Sequence, residues 1–273
     1  MLIDAFPYAY GSEVLLLRMQ ELSGVVDVHV IVEASVTHTG RRREWSWPVL
    51  QNAPEFAPYR NKVAWCPIDI PNGIRAPWGR EEYIRSACLL HAKALAQGGK
   101  DLILFSDHDE IPHPDALMYV VLNCVERARL LGTYHEWYLN LRAVGSPFYL
   151  WEFRQPMTFR ADDHLISHWG DEAGARLRAM QWLGADALEF GGRNDPEYRG
   201  WHMTLQGGER QVWGKLQTCA HTELQSLSLQ NIKAMMWKRL DILERCRLEK
   251  CSDLDLPASL IANRGYYERM MLA

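Results

Sequence analysis

The stretch Asp101-Leu102-Ile103-Leu104-Phe105-Ser106-Asp107-His108-Asp109-Glu110-Ile111-Pro112 decides the fold class of this chain. Residues 101–105 are a short, mainly apolar run that follows Gly98-Gly99. The run is too brief for a helix, so it predicts a strand buried on both faces of a parallel sheet. In open α/β sheets, ligands bind at the carboxyl ends of such strands, and three carboxylates follow this one. The sequence therefore places a candidate site directly after residue 105.

Two of these carboxylates are expected to act together. In extended backbone, residues two apart point the same way, so Asp107 and Asp109 are predicted to face one target. Two carboxylates suit a hard cation such as Mg²⁺ or Mn²⁺ that bridges phosphate oxygens. A lone Asp-x-Asp is more often a solvated loop or a helix cap, but the buried strand before it and Pro112 after it favour a site. Our central hypothesis is metal-dependent glycosyl transfer from a nucleotide sugar.

The composition fits one large α/β domain. The chain has 273 residues, of which 48% are hydrophobic and 23% are charged, which argues against disorder. The net charge is -4 and no polybasic tail is present, so nucleic acid is not expected as the main partner. No internal repeat or flexible linker divides the sequence. We expect a single domain that spans residues 1–273.

Strand and helix patterns alternate over the first half. Apolar runs predict strands at residues 1–8, 28–32 and 62–68, and periodic apolar positions predict helices that begin at Ser12, as an N-cap, and at Trp78. Pro114 begins a further helix. Its expected buried face is Leu117, Val121, Cys124 and Ala128. This alternation predicts a doubly wound, mostly parallel sheet with helices on both faces through about residue 130.

The pattern changes after residue 130. Residues 133–143 and 148–159 are aromatic and partly alternating, which predicts added antiparallel or mixed strands in the C-terminal half. Residues 161–199 are polar and glycine-rich and predict loops with short helical pieces. A strand at 200–205, a helix at 209–216 and a last long helix follow. Ser228 is the expected cap of that last helix, and its expected core stripe is Ile232, Met236, Leu240 and Leu243.

The cysteines and the N-terminus bear on the compartment. None of the six cysteines has the CxxC spacing of a zinc site, and several lie in apolar patterns, so we expect buried free thiols in a reducing compartment. Met1-Leu2-Ile3-Asp4 lacks the basic start of a signal peptide, and no apolar run is long enough for a membrane helix. We expect a cytoplasmic protein whose membrane contact, with a lipid-linked acceptor, would be peripheral.

Several short blocks follow one another in a familiar order. They are Asp4-Ala5-Phe6-Pro7-Tyr8, Glu13 with Arg18, residues 26–33, Thr37-His38-Thr39-Gly40, Trp78 with Glu81 and Arg85, residues 104–112, Gly200-Trp201-His202, Gly207-Gly208 and Ala220-His221-Thr222-Glu223. This ordered set resembles glycosyltransferase family 17, the family of the bisecting β-1,4-mannosyl-glycoprotein N-acetylglucosaminyltransferase. Residues 130–199 match poorly, and we expect that region to determine acceptor specificity.

The resemblance implies a GT-A-like nucleotide-sugar-binding fold and an inverting transfer of a sugar from a UDP-sugar to a glycan or other hydroxyl acceptor. The donor of the characterised relatives is UDP-N-acetylglucosamine, and the cofactor is a divalent metal, Mn²⁺ or Mg²⁺. Residues 1–130 would then be the nucleotide-sugar-binding half, residues 131–225 the acceptor-side half and residues 226–273 a C-terminal helical segment.

The candidate site residues fall into three groups. The donor-binding candidates are Glu33, Thr39, Gly40, Glu81, Arg85, Asp107 and Trp201. The metal-ligand candidates are Asp107, Asp109, His202 and His221. The catalytic candidates are Asp109, Glu110, His202 and Glu223. Asp109 is expected to be the direct metal ligand, Asp107 to contact ribose or metal, and Glu110 to support them.

Some roles stay open in the sequence. His202 is a further metal ligand or a phosphate donor, although a single histidine on a strand is more often structural. Arg85 pairs either with the diphosphate or with Glu81, one helical turn away. An inverting reaction also needs a general base, for which Glu223, Asp195 and Asp163 are all candidates.

Three other function classes compete with a transferase. A haloacid-dehalogenase-type phosphatase also begins with Asp-x-Asp after a strand, but usually has Thr or Val where this chain has Ile111. A nucleotidyltransferase would carry a glycine-rich, basic phosphate loop near its start, and Tyr10-Gly11-Ser12 is not one. A non-catalytic sugar-binding protein would explain the aromatic residues but not the carboxylate cluster. Metal-dependent turnover of UDP-sugars would separate these classes.

Overall fold

The computed structural model describes residues 1–144, 157–163, 187–192 and 194–273. In these ranges the strands are β1 Leu2–Pro7, β2 Val28–Ala34, β3 Val63–Ile68, β4 Leu102–Phe105, β5 Glu110–Ile111, β6 Arg127–Leu130, β7 Gly132–Trp137, β8 Leu141–Val144, β9 Met157–Arg160, β10 Leu188–Phe190, β11 Gly200–Gln206 and β12 Arg247–Lys250. The α-helices are α1 Ser12–Leu22, α2 Trp47–Leu50, α3 Pro77–Leu95, α4 Pro114–Leu122, α5 Glu209–Leu216, α6 Leu229–Lys238, α7 Ala258–Ala262 and α8 Arg264–Tyr267.

The first sheet confirms the predicted parallel core. Its order is β10-β6-β9-β4-β1-β2-β3, and β4, β1, β2 and β3 are parallel neighbours. All four residues of β4 are buried, as expected for a strand covered on both faces. β9 runs antiparallel between β4 and β6, so the sheet is mixed rather than uniformly parallel.

Helices cover both faces of this sheet because its side chains alternate between them. Phe6 of β1 packs in one apolar cluster with residues of α1 and α2. Ile3 and Ala5 of the same strand pack in another cluster with residues of α3. The structure therefore confirms an α/β protein with helices on both faces of its main sheet.

A second sheet lies in the C-terminal half. Its order is β12-β8-β7-β11-β5, with β7 and β11 parallel and the other neighbouring pairs antiparallel. These strands, together with β9, confirm the predicted antiparallel additions. The chain leaves the first sheet at the end of β4 and enters the second at β5, so residues 106–109 join the two sheets.

One predicted helix start and one predicted buried helix face were wrong. Ser12 is the first helical residue rather than the N-cap, because Gly11 precedes the helix with φ at 78° and the Ser12 hydroxyl donates to Glu13. The helix α4 ends at Leu122, so the predicted face does not continue along it. Its buried residues are Ala116, Leu117 and Val120, while Val121 and Cys124 are exposed and Ala128 lies in β6.

The last long helix is shorter than predicted. Ser228 caps α6 through a capping box with Asn231, as expected, and Ile232 and Met236 are buried. The helix stops at Lys238 because Arg239 adopts a left-handed conformation, with φ at 53°. Leu240 and Leu243 lie beyond it, and α7 and α8 follow.

Several other expectations have outcomes in the described ranges. All six cysteines are free, with Cys88 and Cys246 buried and Cys124 exposed. No helix in the described part of the chain is both long and apolar enough to cross a bilayer. The strand predicted at residues 148–159 falls within the described ranges only from Met157. Most of the region predicted as loops, at 161–199, also lies outside them, at 164–186 and 193.

Candidate active site

The acidic stretch after β4 forms a turn rather than an extended strand. The Asp107 carbonyl accepts a hydrogen bond from the Glu110 amide at 3.0 Å, and the Asp107 amide donates to Glu110 Oε2 at 2.8 Å. The argument that Asp107 and Asp109 share one face of an extended backbone was therefore wrong, because the chain reverses between them. Glu110 is buried and holds this turn, while a catalytic role for it stays a prediction.

Arg18 of α1 holds the turn in place. Its guanidinium binds both oxygens of Asp4 in β1, at 2.5 and 2.9 Å, and donates to Ser106 Oγ at 2.8 Å and to the Glu110 carbonyl at 2.6 Å. Asp4 also contacts His29 Nδ1 of β2 at 2.8 Å. All three side chains are fully buried, so β1, β2 and α1 determine where the turn lies.

Asp107 faces α3. Arg85 donates to its two carboxylate oxygens at 2.9 and 3.2 Å and also forms an ion pair with Glu81, one helical turn earlier. His38 Nδ1 lies 3.7 Å from Glu81 Oε2. The sequence left open whether Arg85 pairs with Glu81, and the structure shows that it binds both Glu81 and Asp107.

Asp109 faces β11 and α5. Lys215 Nζ lies 3.0 Å from its Oδ2, and His202 Nε2 lies 3.7 Å from its Oδ1. Burial acts to raise the pKa of Asp109, but the charges of Lys215, His202 and His108 outweigh it and hold that pKa well below its ordinary value. Burial likewise opposes the charge on Lys215, yet Asp109 raises the pKa of this ammonium. Asp109 is thus a carboxylate, and Lys215 an ammonium, at neutral pH.

Both carboxylates border one cavity of about 430 Å³. The cavity lies beyond the carboxyl ends of β1, β2 and β4, where order and direction in the first sheet predict a ligand site. Lining residues from this side include Tyr8, Tyr10, Val36, His38 and Arg85. Lining residues from the opposite side include Tyr134, His202, Thr204, Lys215, Cys219 and His221.

The glycosyltransferase family 17 model matches residues 1–157 of the chain. This match covers more than half of the sequence and includes the whole acidic turn. The chain belongs to glycosyltransferase family 17. No curated protein matches the chain. The matched stretch ends before β11 and α5, so His202, Lys215 and His221 reach the cavity from outside it.

The glycosyltransferase carries three predicted donor-binding residues near the β2 end that do not line the cavity. Glu33 is fully buried and accepts hydrogen bonds from the Ser46 and Trp47 amides, each at 2.9 Å, so it holds the start of α2. Thr39 Oγ1 lies 3.0 Å from Thr37 Oγ1. Their contact with a nucleotide sugar stays a prediction.

Gly40 has a conformational reason for its position. Its φ is 85°, and a Cβ there would lie 2.9 Å from the Arg80 guanidinium, which donates to the His38 carbonyl at 2.8 Å. Glycine therefore allows the loop after β2 to pack against α3. This places His38, rather than Thr39 or Gly40, on the cavity wall.

Trp201 and His202 point to opposite sides of β11. Trp201 is buried in the main apolar cluster, and its Nε1 donates to the Asp255 carbonyl at 2.8 Å. The expectation that Trp201 lines the donor pocket is not supported, because alternation along the strand gives the cavity His202 instead. Gly200 precedes them because a Cβ at this position would collide with the Ile111 carbonyl of β5.

His221 and Glu223 form a pair at the rim. His221 Nδ1 lies 2.6 Å from Glu223 Oε1, and its ring packs edge-on against Trp78. His221 lines the cavity, whereas Glu223 is not among the lining residues, and its side chain is 61% exposed. Metal binding by His221 and catalysis by Glu223 stay predictions.

The other two general-base candidates lie away from the cavity lining. Asp163 accepts two hydrogen bonds from Arg127, at 2.6 and 3.0 Å. Asp195 accepts one from the Gly191 amide at 3.0 Å and so holds the loop after β10. The described carboxylates that line the cavity are Glu81, Asp107 and Asp109.

Sequence reasoning missed Lys215 and undervalued Arg18. Lys215 follows the apolar position Val212 by three residues and precedes Leu216, so it falls beside the buried face of α5, an unusual place for a lysine. Arg18 is charged but follows the apolar residues Leu15, Leu16 and Leu17 in the first helix. A charged residue inside an apolar helical face was the available signal in both cases.

The implied metal ion can be tested against the donor atoms present. No three His, Cys, Asp or Glu side chains in residues 1–144, 157–163, 187–192 and 194–273 are grouped to hold a metal ion. Mg²⁺ is commonly held by one or two carboxylates and completed by substrate phosphates. Asp109 supplies one such carboxylate, with His202 Nε2 3.7 Å from its Oδ1, while Asp107 is bound by Arg85.

Proposed function

We propose that this glycosyltransferase binds a UDP-sugar in the cavity beside the acidic turn, in a GT-A-like fold, and transfers the sugar to a hydroxyl group of a glycan or other acceptor. The proposed sugar is N-acetylglucosamine, the donor sugar of characterised family members. The observation that carries the proposal is the approach of His202 and Lys215 to Asp109 at the carboxyl edge of the first sheet. That edge lies within the stretch that matches the family.

The two ends of the cavity suit different parts of the donor. Tyr8, Tyr10 and Val36 supply an apolar surface near the ends of β1 and β2, which suits a flat nucleobase. Arg85 and Lys215 bring permanent positive charge to the acidic turn, which suits the diphosphate. The sugar would then lie toward Tyr134 and Thr204, on the side of the second sheet.

The proposed metal ligands are Asp109 and His202. A bound Mn²⁺ or Mg²⁺ would neutralise the charge that develops on the departing phosphate. The nearby charge of Lys215 keeps Asp109 ionised, and Arg18 and Glu110 hold the turn that carries it. His202 is oriented by its position on β11 and by the edge-on contact with Tyr134.

The proposed transfer is a single displacement at the anomeric carbon. The acceptor oxygen forms a bond to this carbon on the face opposite the diphosphate. The bond from carbon to the phosphate oxygen breaks, and its electron pair stays with the diphosphate. The proton of the acceptor hydroxyl passes to a general base, and the configuration at the carbon inverts.

A thermal-shift panel tests this proposal first. The protein is heated with UDP-N-acetylglucosamine, UDP-glucose, GDP-mannose or ADP-glucose, each with Mn²⁺ or with EDTA. A ligand at about 100 times its Kd adds about 2.7 kcal/mol to the free energy of unfolding, so a matching donor raises Tm measurably. We expect UDP-sugars to give the largest shift.

A turnover assay then separates the function classes. Release of UDP from UDP-N-acetylglucosamine, by hydrolysis or with added glycan acceptors, supports a transferase. Phosphate release from small monoesters, with no turnover of nucleotide sugars, would contradict the proposal and favour a phosphatase. Binding of sugars without any turnover would favour a non-catalytic sugar-binding protein.

A further inference from the structure

The cationic residues that line the cavity differ in the carboxylates that they bind. In the described part of the chain, the permanently cationic lining residues are Arg43, Arg85, Lys215 and Arg245. Arg43 pairs with Glu33, and Arg245 pairs with Asp241, both of which lie outside the lining. Arg85 is shared between two carboxylates. Lys215, from α5 on the side of the second sheet, binds Asp109 directly.

The Lys215 ammonium can serve a second acceptor. It carries three N–H donors, and among the described residues Asp109 Oδ2 accepts one of them, at 3.0 Å. Its side chain lines the cavity and is 26% exposed, so it is not sealed beneath the cavity wall. A flexible four-carbon stem lets the ammonium adjust toward an anion without movement of the backbone.

Lys215 and His202 approach different oxygens of Asp109. Lys215 contacts Oδ2, whereas His202 lies near Oδ1. The positive charge of Lys215 is therefore present at the turn whether or not a metal ion binds between Asp109 and His202. An anion that enters beside Asp109 meets this charge directly.

We propose that Lys215 binds the diphosphate of the donor and that donor binding by this chain does not require a divalent cation. This inference rests on the proposed function, because it assigns one more contact within the same site. Asp109, the proposed metal ligand, then competes with the diphosphate for the Lys215 ammonium. Without a metal ion, removal of the Asp109 charge should therefore leave Lys215 free for the diphosphate.

The test measures binding of UDP and of uridine by calorimetry in EDTA, with uridine as the ligand that lacks phosphate. The variants are Lys215→Met, Lys215→Arg and Asp109→Asn, with Lys233→Met on the exposed side of α6 as the matched control. We expect wild type to bind UDP in EDTA and Lys215→Met to lose about tenfold or more of its UDP affinity, as for a hydrogen bond to a charged group, with uridine unaffected.

The remaining variants should keep or regain the affinity for UDP. Asp109→Asn should bind UDP in EDTA at least as tightly as wild type, because Lys215 is no longer shared. Lys215→Arg should restore most of the affinity, and Lys233→Met should match wild type. A purely structural role of the ion pair would instead weaken binding in Asp109→Asn and Lys215→Met alike.

Folding of each variant is checked by circular dichroism and thermal unfolding. Lys215→Met could unfold because the Asp109 carboxylate is left without the Lys215 ammonium. In that case the double variant Asp109→Asn with Lys215→Met, which removes both charges, is used in place of the single variant. Loss of the preference for UDP over uridine in that variant supports the inference, and a retained preference overturns it.

Two results distinguish this inference from the function it rests on. If UDP and UDP-sugars bind to wild type only with Mn²⁺, the role of Lys215 is refuted and the proposed transferase stands. If no uridine nucleotide binds with Mn²⁺ or with EDTA, the proposed function fails, and the inference fails with it.

Discussion

The two sides of the cavity are built differently. The first wall consists of the lining residues from β1, β2, the loops that follow these two strands, the acidic turn and α3. The second wall consists of those from β7, β11, α5 and residues 217–224. Behind the first wall, Asp4 binds both Arg18 and His29, and all three side chains are fully buried. On the second wall, Lys215 is 26% exposed and the side chain of His221 is 39% exposed.

The two walls also differ in how much of each lies within the stretch that matches the family. The matched residues, 1–157, contain the whole first wall and β7 of the second wall, whereas β11, α5 and residues 217–224 lie beyond them. A wall fixed by buried ion pairs is determined by folding itself. A wall held by partly exposed side chains can differ between relatives without loss of the fold. The first wall is thus fixed by the fold, and the second wall is the part of the cavity that can distinguish this protein from its relatives.

The largest expected effect is on the first wall. Arg18→Met leaves the buried Asp4 without its guanidinium and removes the donors to Ser106 and to the Glu110 carbonyl. Removal of one partner of a buried ion pair destabilises a protein by about 3–5 kcal/mol. Denaturant unfolding should show this loss, and Arg42→Met, at an exposed position, should stay within about 0.5 kcal/mol of wild type. Equal effects of both variants would mean that the network does not hold the turn.

The second effect compares the two carboxylates of the turn. Asp109→Asn should reduce turnover of UDP-N-acetylglucosamine with Mn²⁺ by about a hundredfold or more, as for other groups that stabilise developing charge. Asp107→Asn should have a smaller effect, because Arg85 keeps its ion pair with Glu81. The measurement is kcat and KM for both variants. A larger loss in Asp107→Asn would place the critical charge on the first wall and not between the walls.

Much of the first wall could be predicted from the sequence. Short apolar runs and helical periodicity are local signals, and they located β1 to β4, α1 and α3 to within a few residues. The position of the site also followed, because the carboxyl end of β4 is fixed once β4 is recognised. The same signals gave β11 and α5.

The contacts across the cavity could not be predicted in the same way. Lys215 and Asp109 are 106 residues apart, and no local pattern links them. The turn at 106–109 also escaped the alternation argument, since backbone hydrogen bonds between Asp107 and Glu110 replaced the extended conformation that alternation requires. Trp201 was misjudged for a related reason, because period-two patterning does not say which face of β11 meets the cavity.

The third effect concerns a buried hydrogen-bonded group behind the second wall. Tyr134 lines the cavity, and its hydroxyl donates to Glu136 Oε2, while Glu136 Oε1 accepts from the Ile242 amide. Burial, reinforced by the charge of Asp241, raises the pKa of Glu136 from 4.5 to about 8. Between these values the unfolded chain has released the proton and the folded chain keeps it. Stability should therefore fall as pH rises from about 5 to 8, by up to about 1.4 kcal/mol per pH unit.

The variant that tests this is Glu136→Gln, which mimics the protonated acid. It should flatten the dependence of the free energy of unfolding on pH in this range, and Glu249→Gln, exposed on β12, should leave the dependence as in wild type. An unchanged slope in Glu136→Gln would mean that Glu136 is ionised in the folded protein and that the second wall rests on a charged group.

The smallest expected effect is at the rim. The pair of His221 and Glu223 is largely exposed, and exposed pairs contribute about 0–1 kcal/mol. Glu223→Gln should therefore change both the free energy of unfolding and kcat only slightly. A general base contributes about 10²–10⁴-fold to the rate, so a loss of that size would make Glu223 the base despite its place outside the cavity lining. Steady-state turnover with UDP-N-acetylglucosamine and acceptor decides between them, because the two outcomes differ by at least an order of magnitude while the stability of the variant stays the same.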